Sequence, residues 1–100
     1  MKNKVTISID PDLEPLIPGF LDNRRKDIET LTTALNAGAF ATIQSTGHSL
    51  KGVGGGYGFA RISAIGAELE DAAKSQDAGA IQTQINMLRD YLDNIEVIYE

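Results

Sequence analysis

Six apolar or aromatic positions near the C-terminus, Ile81, Ile85, Leu88, Leu92, Ile95 and Tyr99, recur at steps of three and four without a miss. That spacing puts them on one face of an α-helix and demands a partner surface to cover them. Three further stripes of the same period precede it. Leu21, Arg24, Ile28, Leu31 and Leu35 form the first, widened by Phe20; Asn36 and Gly38 punctuate its end. Phe40, Ile43, Gly47, Leu50 and Gly54 form the second, and Phe59, Ile62, Ile65, Leu69 and Ala72 or Ala73 the third. Asp77 is a suitable N-cap for the fourth. The spacing predicts helices over 20–36, 40–54, 59–74 and 78–99. Short joints near 37–39, 55–58 and 75–78 favour antiparallel neighbours. The expected fold is therefore all-α: an antiparallel, up-down four-helix bundle.

Residues 1–18 read as an addition to a bundle spanning 19–100. Val5, Ile7 and Ile9 alternate with Thr6 and Ser8, a strand-like pattern. With no second strand in the reading, this segment is expected to be an extended arm on the body. Asp10-Pro11 opens a short helix, and Pro15 and Pro18 keep that segment, 11–17, short or kinked. No internal repeat, linker or low-complexity segment interrupts the chain.

Composition removes several classes of function. With 100 residues the chain makes one domain, large enough to fold without covalent staples. There is no cysteine and only one histidine, which excludes a disulfide framework, a thiol nucleophile and a cysteine-based metal site. It also leaves no metal or acid–base constellation for a hydrolase. A net charge of −5 disfavours nucleic-acid binding. The one basic cluster, Arg24-Arg25-Lys26, is flanked by Asp22 and Asp27 and reads as a solvated helix face. Neither a signal peptide nor a run of membrane-spanning length is present, so a cytoplasmic location is expected.

The one histidine lies in "TGHSLKGVGGGYGF", Thr46–Phe59, where six of the ten glycines fall within fourteen residues. Each glycine costs a helix about 1 kcal/mol relative to alanine. The stretch is therefore either a gripping loop or a helix with one face kept bare. A nucleotide loop fails on motif order: neither G-x-x-x-x-G-K-[ST] nor G-x-G-x-x-G fits, and no strand precedes. On a helix, His48 stands roughly 100° from Gly47 and 200° from Leu50, which turns it outward. Gln44, Ser45, Lys51, Gly52 and Gly55 are its neighbours on that face. One imidazole, one ammonium and two positions without side chains would let another protein approach closely. Neutral imidazole is a competent nucleophile, and lysine one turn away can neutralise phosphoryl oxygens. Taken alone, such a pair is more often an ordinary part of a solvated surface.

His48-Ser49-Leu50-Lys51-Gly52, followed by Gly58-Phe59, resembles the H-x-L-K-G…G signature of histidine-containing phosphotransfer (HPt) domains. The likeness is dense over 47–59 and extends through the helix pattern over about 19–99, including "LEDAAKSQDAGA". It implies a bundle that relays phosphoryl groups between the aspartates of response-regulator receivers. On that resemblance His48 is the phosphorylated residue, Lys51 assists the phosphoryl group, and Gly52 lets the receiver come close; Gln44 and Gly55, placed beside His48 by helical spacing, complete the expected docking face. Glu70 matches a glutamate that bonds the imidazole in the similar histidine domain of chemotaxis kinases; otherwise it reads as a solvated residue of the third helix. That subfamily has a second histidine where this chain has Ala67. The resemblance implies no cofactor in this chain, with the required Mg2+ held by the receiver, and no ATP-dependent kinase activity. Receivers, and a hybrid sensor kinase, are the expected partners of a stand-alone monomer. The alternative is a helical interaction module that binds a receiver or kinase without accepting phosphate.

Overall fold

The computed structural model describes residues 4–100. Strand β1 (Val5–Ile9) leads into a 3-10 helix (Pro11–Leu16), then α1 (Ile17–Ala37), α2 (Phe40–Gly56), α3 (Ala60–Lys74), α4 (Ala78–Asn94) and strand β2 (Ile95–Tyr99). Four helices thus occur where four stripes are written, but both ends depart from an all-α reading. The N-terminal segment is not a lone arm. It pairs in parallel with β2, from Val5 opposite Ile95 to Ile9 opposite Tyr99, and the Glu100 N–H donates to the Ile9 carbonyl at 3.0 Å. The fourth helix correspondingly stops at Asn94, five residues short of the expected Tyr99. Ile95 and Tyr99 are four apart, a separation common to one helical face and to one face of a strand. β-Branched Ile95, Val97 and Ile98 then favour the extended form.

At the first helix, α1 begins at Ile17 rather than beyond Gly19. Pro18 sits in its opening turn, where no N–H is required. Asp10 accepts the Asp12 N–H at 2.9 Å and so starts the preceding 3-10 turn.

Three helix ends share one device. At the end of α1 the Gly38 N–H reaches Leu35 O and the Ala39 N–H reaches Ala34 O. After α2 the Gly58 and Phe59 N–H groups reach Gly55 O and Gly54 O; after α3 those of Gln76 and Asp77 reach Ala73 O and Ala72 O. This double closure requires a left-handed residue, supplied by Gly38 (φ 67°), Gly58 (φ 89°) and, without the benefit of glycine, Gln76 (φ 53°). Asp77 then caps α4 by accepting the Ala80 N–H at 3.0 Å.

One core joins all the elements. Leu31, Ile43, Ile62, Leu69, Ile81, Ile85 and Leu88 are wholly enclosed, and Leu50 and Leu92 are buried with them. β1 contributes Ile9, also buried, which packs over the bare α-carbon of Gly58. The basic cluster is only partly the solvated face expected of it. Arg24 lies over the Phe20 ring at 4.7 Å and bonds Asp27 at 2.8 Å, its side chain mostly covered. Arg25 bonds the Leu92 carbonyl and the Asp93 carboxylate at the end of α4, each at 3.1 Å. Phe20 stacks in turn on Tyr57 and Phe59, which ties the start of α1 to the α2–α3 turn. Among the described residues, no helix is long and apolar enough to cross a membrane.

Candidate functional site

Helices α2 and α3 lie closer together than side chains would permit. A Cβ added at Gly47 would stand 2.8 Å from both Glu70 N and Gly66 O, and one at Gly54 would stand 2.5 Å from Ser63 N. From the other side, a Cβ at Gly66 would run into the Lys51 N–H group and come within 2.6 Å of Gly47 O. Three glycines therefore let two backbones meet, which is why a helix can be made from so glycine-rich a stretch. The helix-propensity loss, about 1 kcal/mol for each, is offset by close contact along the interface. Gly52 and Gly56 differ from these: nothing lies within 4 Å of a Cβ at either. Gly55 is exposed, with only the Ser63 hydroxyl at ordinary contact distance.

This crossing brings Glu70 under the imidazole. His48 Nδ1 is 3.0 Å from Glu70 Oε2, and Lys51 Nζ is 3.6 Å from Glu70 Oε1. The exposure of the three groups separates them: the His48 side chain is 73% exposed and that of Lys51 55%, whereas that of Glu70 is 13% exposed. Partial burial works against ionising Glu70. It is outweighed by the hydrogen bond from His48 and by the charges of His48, Lys51 and Lys74, so the carboxyl titrates below its ordinary value. An ionised carboxylate can only accept. The Nδ1–H therefore donates to Glu70, and in the neutral ring Nε2 keeps its lone pair.

Of the residues singled out in the sequence, His48 and Lys51 thus both meet Glu70, one at each carboxylate oxygen. Gln44, half-buried, lines a shallow depression beside them together with Ala41, Ser45, His48 and Glu70. Gly52 and Gly55 lie on the exposed side of α2 with Lys51. Two neighbours escaped the sequence reading. Lys74 lies four residues beyond Glu70 on α3, and its i, i+4 spacing was the available signal. Ser63 accepts the Gly55 N–H at 2.8 Å and donates to Lys51 O at 2.7 Å; no sequence pattern marks it. No group of three or more potential metal ligands occurs among the described residues.

Comparison with known proteins gives one match. The family model described as Hpt domain covers residues 16–97, from the end of the 3-10 helix to the middle of β2. No curated protein and no solved structure matches the chain. A match over so much of the chain, coinciding with four helices and an exposed histidine on the second, is decisive: this protein belongs to the Hpt domain family, the histidine phosphotransfer modules of two-component phosphorelays.

Proposed function

We propose that this chain is a phosphorelay intermediate in which His48 takes a phosphoryl group from a receiver aspartate and passes it to the aspartate of a second receiver. The observation that carries the reading is the His48–Glu70 contact, which occupies Nδ1 and leaves Nε2 free on an exposed ring. In the forward step the Nε2 lone pair forms the N–P bond as the P–O bond to the donor aspartate breaks. The electron pair of that bond leaves with the aspartate carboxylate. The phosphorylated ring retains its Nδ1–H and carries positive charge, which Glu70 faces and stabilises. Lys51, one turn along α2, offers its ammonium to the equatorial phosphoryl oxygens. The onward step is the reverse reaction toward a different aspartate.

Docking is assigned to the exposed side of α2, with Gln44 at one end and Gly52 and Gly55 at the other. The bare glycine positions let the receiver surface come down to the ring. Mg2+ is assigned to the receiver's acidic pocket rather than to this chain. The four helices are taken to run up and down in turn, and the protein to act as a cytoplasmic monomer. Glu70 orients the ring but has no assigned part in proton transfer, because Nδ1 keeps its hydrogen throughout.

The test is a two-stage chase. A phosphorylated receiver should label the wild-type chain, and a second receiver should then discharge it. His48→Gln should take no label. A wild-type chain that binds the receiver yet stays unlabelled would make it an interaction module instead.

A further inference from the structure

Ser63 takes no part in the proposed transfer, yet its hydroxyl makes two hydrogen bonds to the backbone of α2. It accepts from the Gly55 N–H and donates to the Lys51 carbonyl. Those two groups are four residues apart, the donor and acceptor that an α-helical ladder joins to each other. A group inserted into that ladder bends a helix locally. Here the group comes from the neighbouring helix, and room has been made for it. A Cβ at Gly54 would stand 2.9 Å from the Ser63 hydroxyl oxygen and 2.5 Å from its backbone nitrogen. Any side chain at Gly54 would push Ser63 away.

We infer that Ser63 is a positioning residue for His48: it sets the height of α3 on α2, and with it the place where Glu70 meets the imidazole. Ser63, Gly66 and Glu70 are spaced by three and four and lie on one face of α3. Along this face Ser63 bonds Lys51 and Gly55, Gly66 crosses Lys51 and Gly47, and Glu70 bonds His48. Seven residues of helix, about 10 Å, connect the hydroxyl to the carboxylate. Over two turns a helix transmits a slide almost undiminished, and the contact at its far end has little tolerance. Lengthening the 3.0 Å His48–Glu70 bond by about 0.6 Å would end it. Ser63 also holds the carbonyl of Lys51 itself, so one hydroxyl fixes the backbone beneath the lysine and the register of the glutamate.

The inference rests on the proposed role of His48, and its experiment separates the two. Ser63→Ala removes both bonds but strands neither backbone group, because Gly55 N–H and Lys51 O can pair with each other. The variant should stay folded, with its melting temperature lowered by less than about 10 °C. The 15N spectrum of the His48 ring should show a loss of the Nδ1–H tautomer toward a mixture of both. Maximal transfer from a phosphorylated receiver should fall about three- to tenfold, since a 1 Å misplacement can cost on the order of a hundredfold. The KM for the receiver should stay within about twofold, because the residues assigned to docking, Gln44, Gly52 and Gly55, are themselves unchanged. A Ser63→Ala ring with the wild-type tautomer, or a rate loss confined to KM, would overturn the positioning role. A wild-type chain that accepts no phosphoryl group would sink the transfer reading, while the tautomer comparison would still decide the part played by Ser63.

Discussion

Gly47 and Gly52 stand five residues apart on α2, and adding one methyl group to each should move stability in opposite directions. At Gly47 the new carbon would lie 2.8 Å from two backbone atoms of α3, Glu70 N and Gly66 O, and 3.0 Å from the Leu69 Cβ. Ordinary contact begins near 3.4 Å, so α3 would have to retreat by about 0.6 Å; backbone cannot rotate away as a flexible side chain can. Overpacking of this kind costs about 1–3 kcal/mol. Parting the helices by 0.5–1 Å also forfeits about a quarter to a half of each dispersion contact across the interface. Better helix propensity returns about 1 kcal/mol, roughly what that dispersion loss takes away, which leaves Gly47→Ala less stable by about 1–3 kcal/mol. At Gly52 nothing lies within 4 Å, so Gly52→Ala gains the propensity of up to about 1 kcal/mol with no opposing term. At about 4–8 °C per kcal/mol for a domain of this size, the melting temperatures should fall on either side of wild type, at least about 4 °C apart. Thermal unfolding followed by circular dichroism reads this directly. If Gly47→Ala melts at or above wild type, or if both variants shift equally in one direction, the close approach of α2 and α3 is not what these glycines are for.

The same geometry makes further predictions. Gly52→Gln should melt no lower than wild type but accept phosphate from a receiver at least about tenfold more slowly, because the docking face is no longer bare. Normal transfer by that folded variant would remove Gly52 from the docking surface. Glu70, whose folded pKa lies below its ordinary value near 4.5, contributes stability that is full above that value and is lost as pH falls through the folded pKa. The unfolding-midpoint gap between wild type and Glu70→Gln should therefore be widest at neutral pH and close on acidification; a gap independent of pH would contradict the ionised contact. Gln76 holds a left-handed conformation at the end of α3, so Gln76→Gly should stabilise the protein by about 1 kcal/mol. Denaturant unfolding that shows a loss would mean that the Gln76 side chain has a role of its own.

The helices and the histidine face were legible in the sequence because both are local. Three-four spacing places His48 and Lys51 on one face of one helix, whatever the rest of the chain does. The same locality explains what was misread. Val5–Ile9 has a strand pattern, but its partner lies some ninety residues away in a segment whose Ile95 and Tyr99 also satisfy a helical period. Only the pairing itself resolves that ambiguity. The His48–Glu70 contact was reachable through family resemblance rather than from the residues, since a gap of 22 positions fixes no distance between helices. The glycines were half understood. Gly52 reads as open from its place on the exposed face, and Gly47 and Gly54 as small residues on the packing stripe. That Gly54 also admits a hydroxyl from α3 depends on the register of two helices, which no single stripe encodes. Arg24 shows the converse: its position on the apolar stripe was visible, and its stack on Phe20 explains why a cation is found there.

The most direct test of the central claim is to identify the atom that carries the phosphate. A chain labelled with 15N in histidine should be incubated with a phosphorylated receiver and examined by 15N and 31P NMR. A phosphoryl group is expected on Nε2 of His48, stable to base and labile to acid, with Nδ1 still protonated against Glu70. No label is expected on His48→Gln. Phosphate on Nδ1, or label retained by His48→Gln, would contradict the claim.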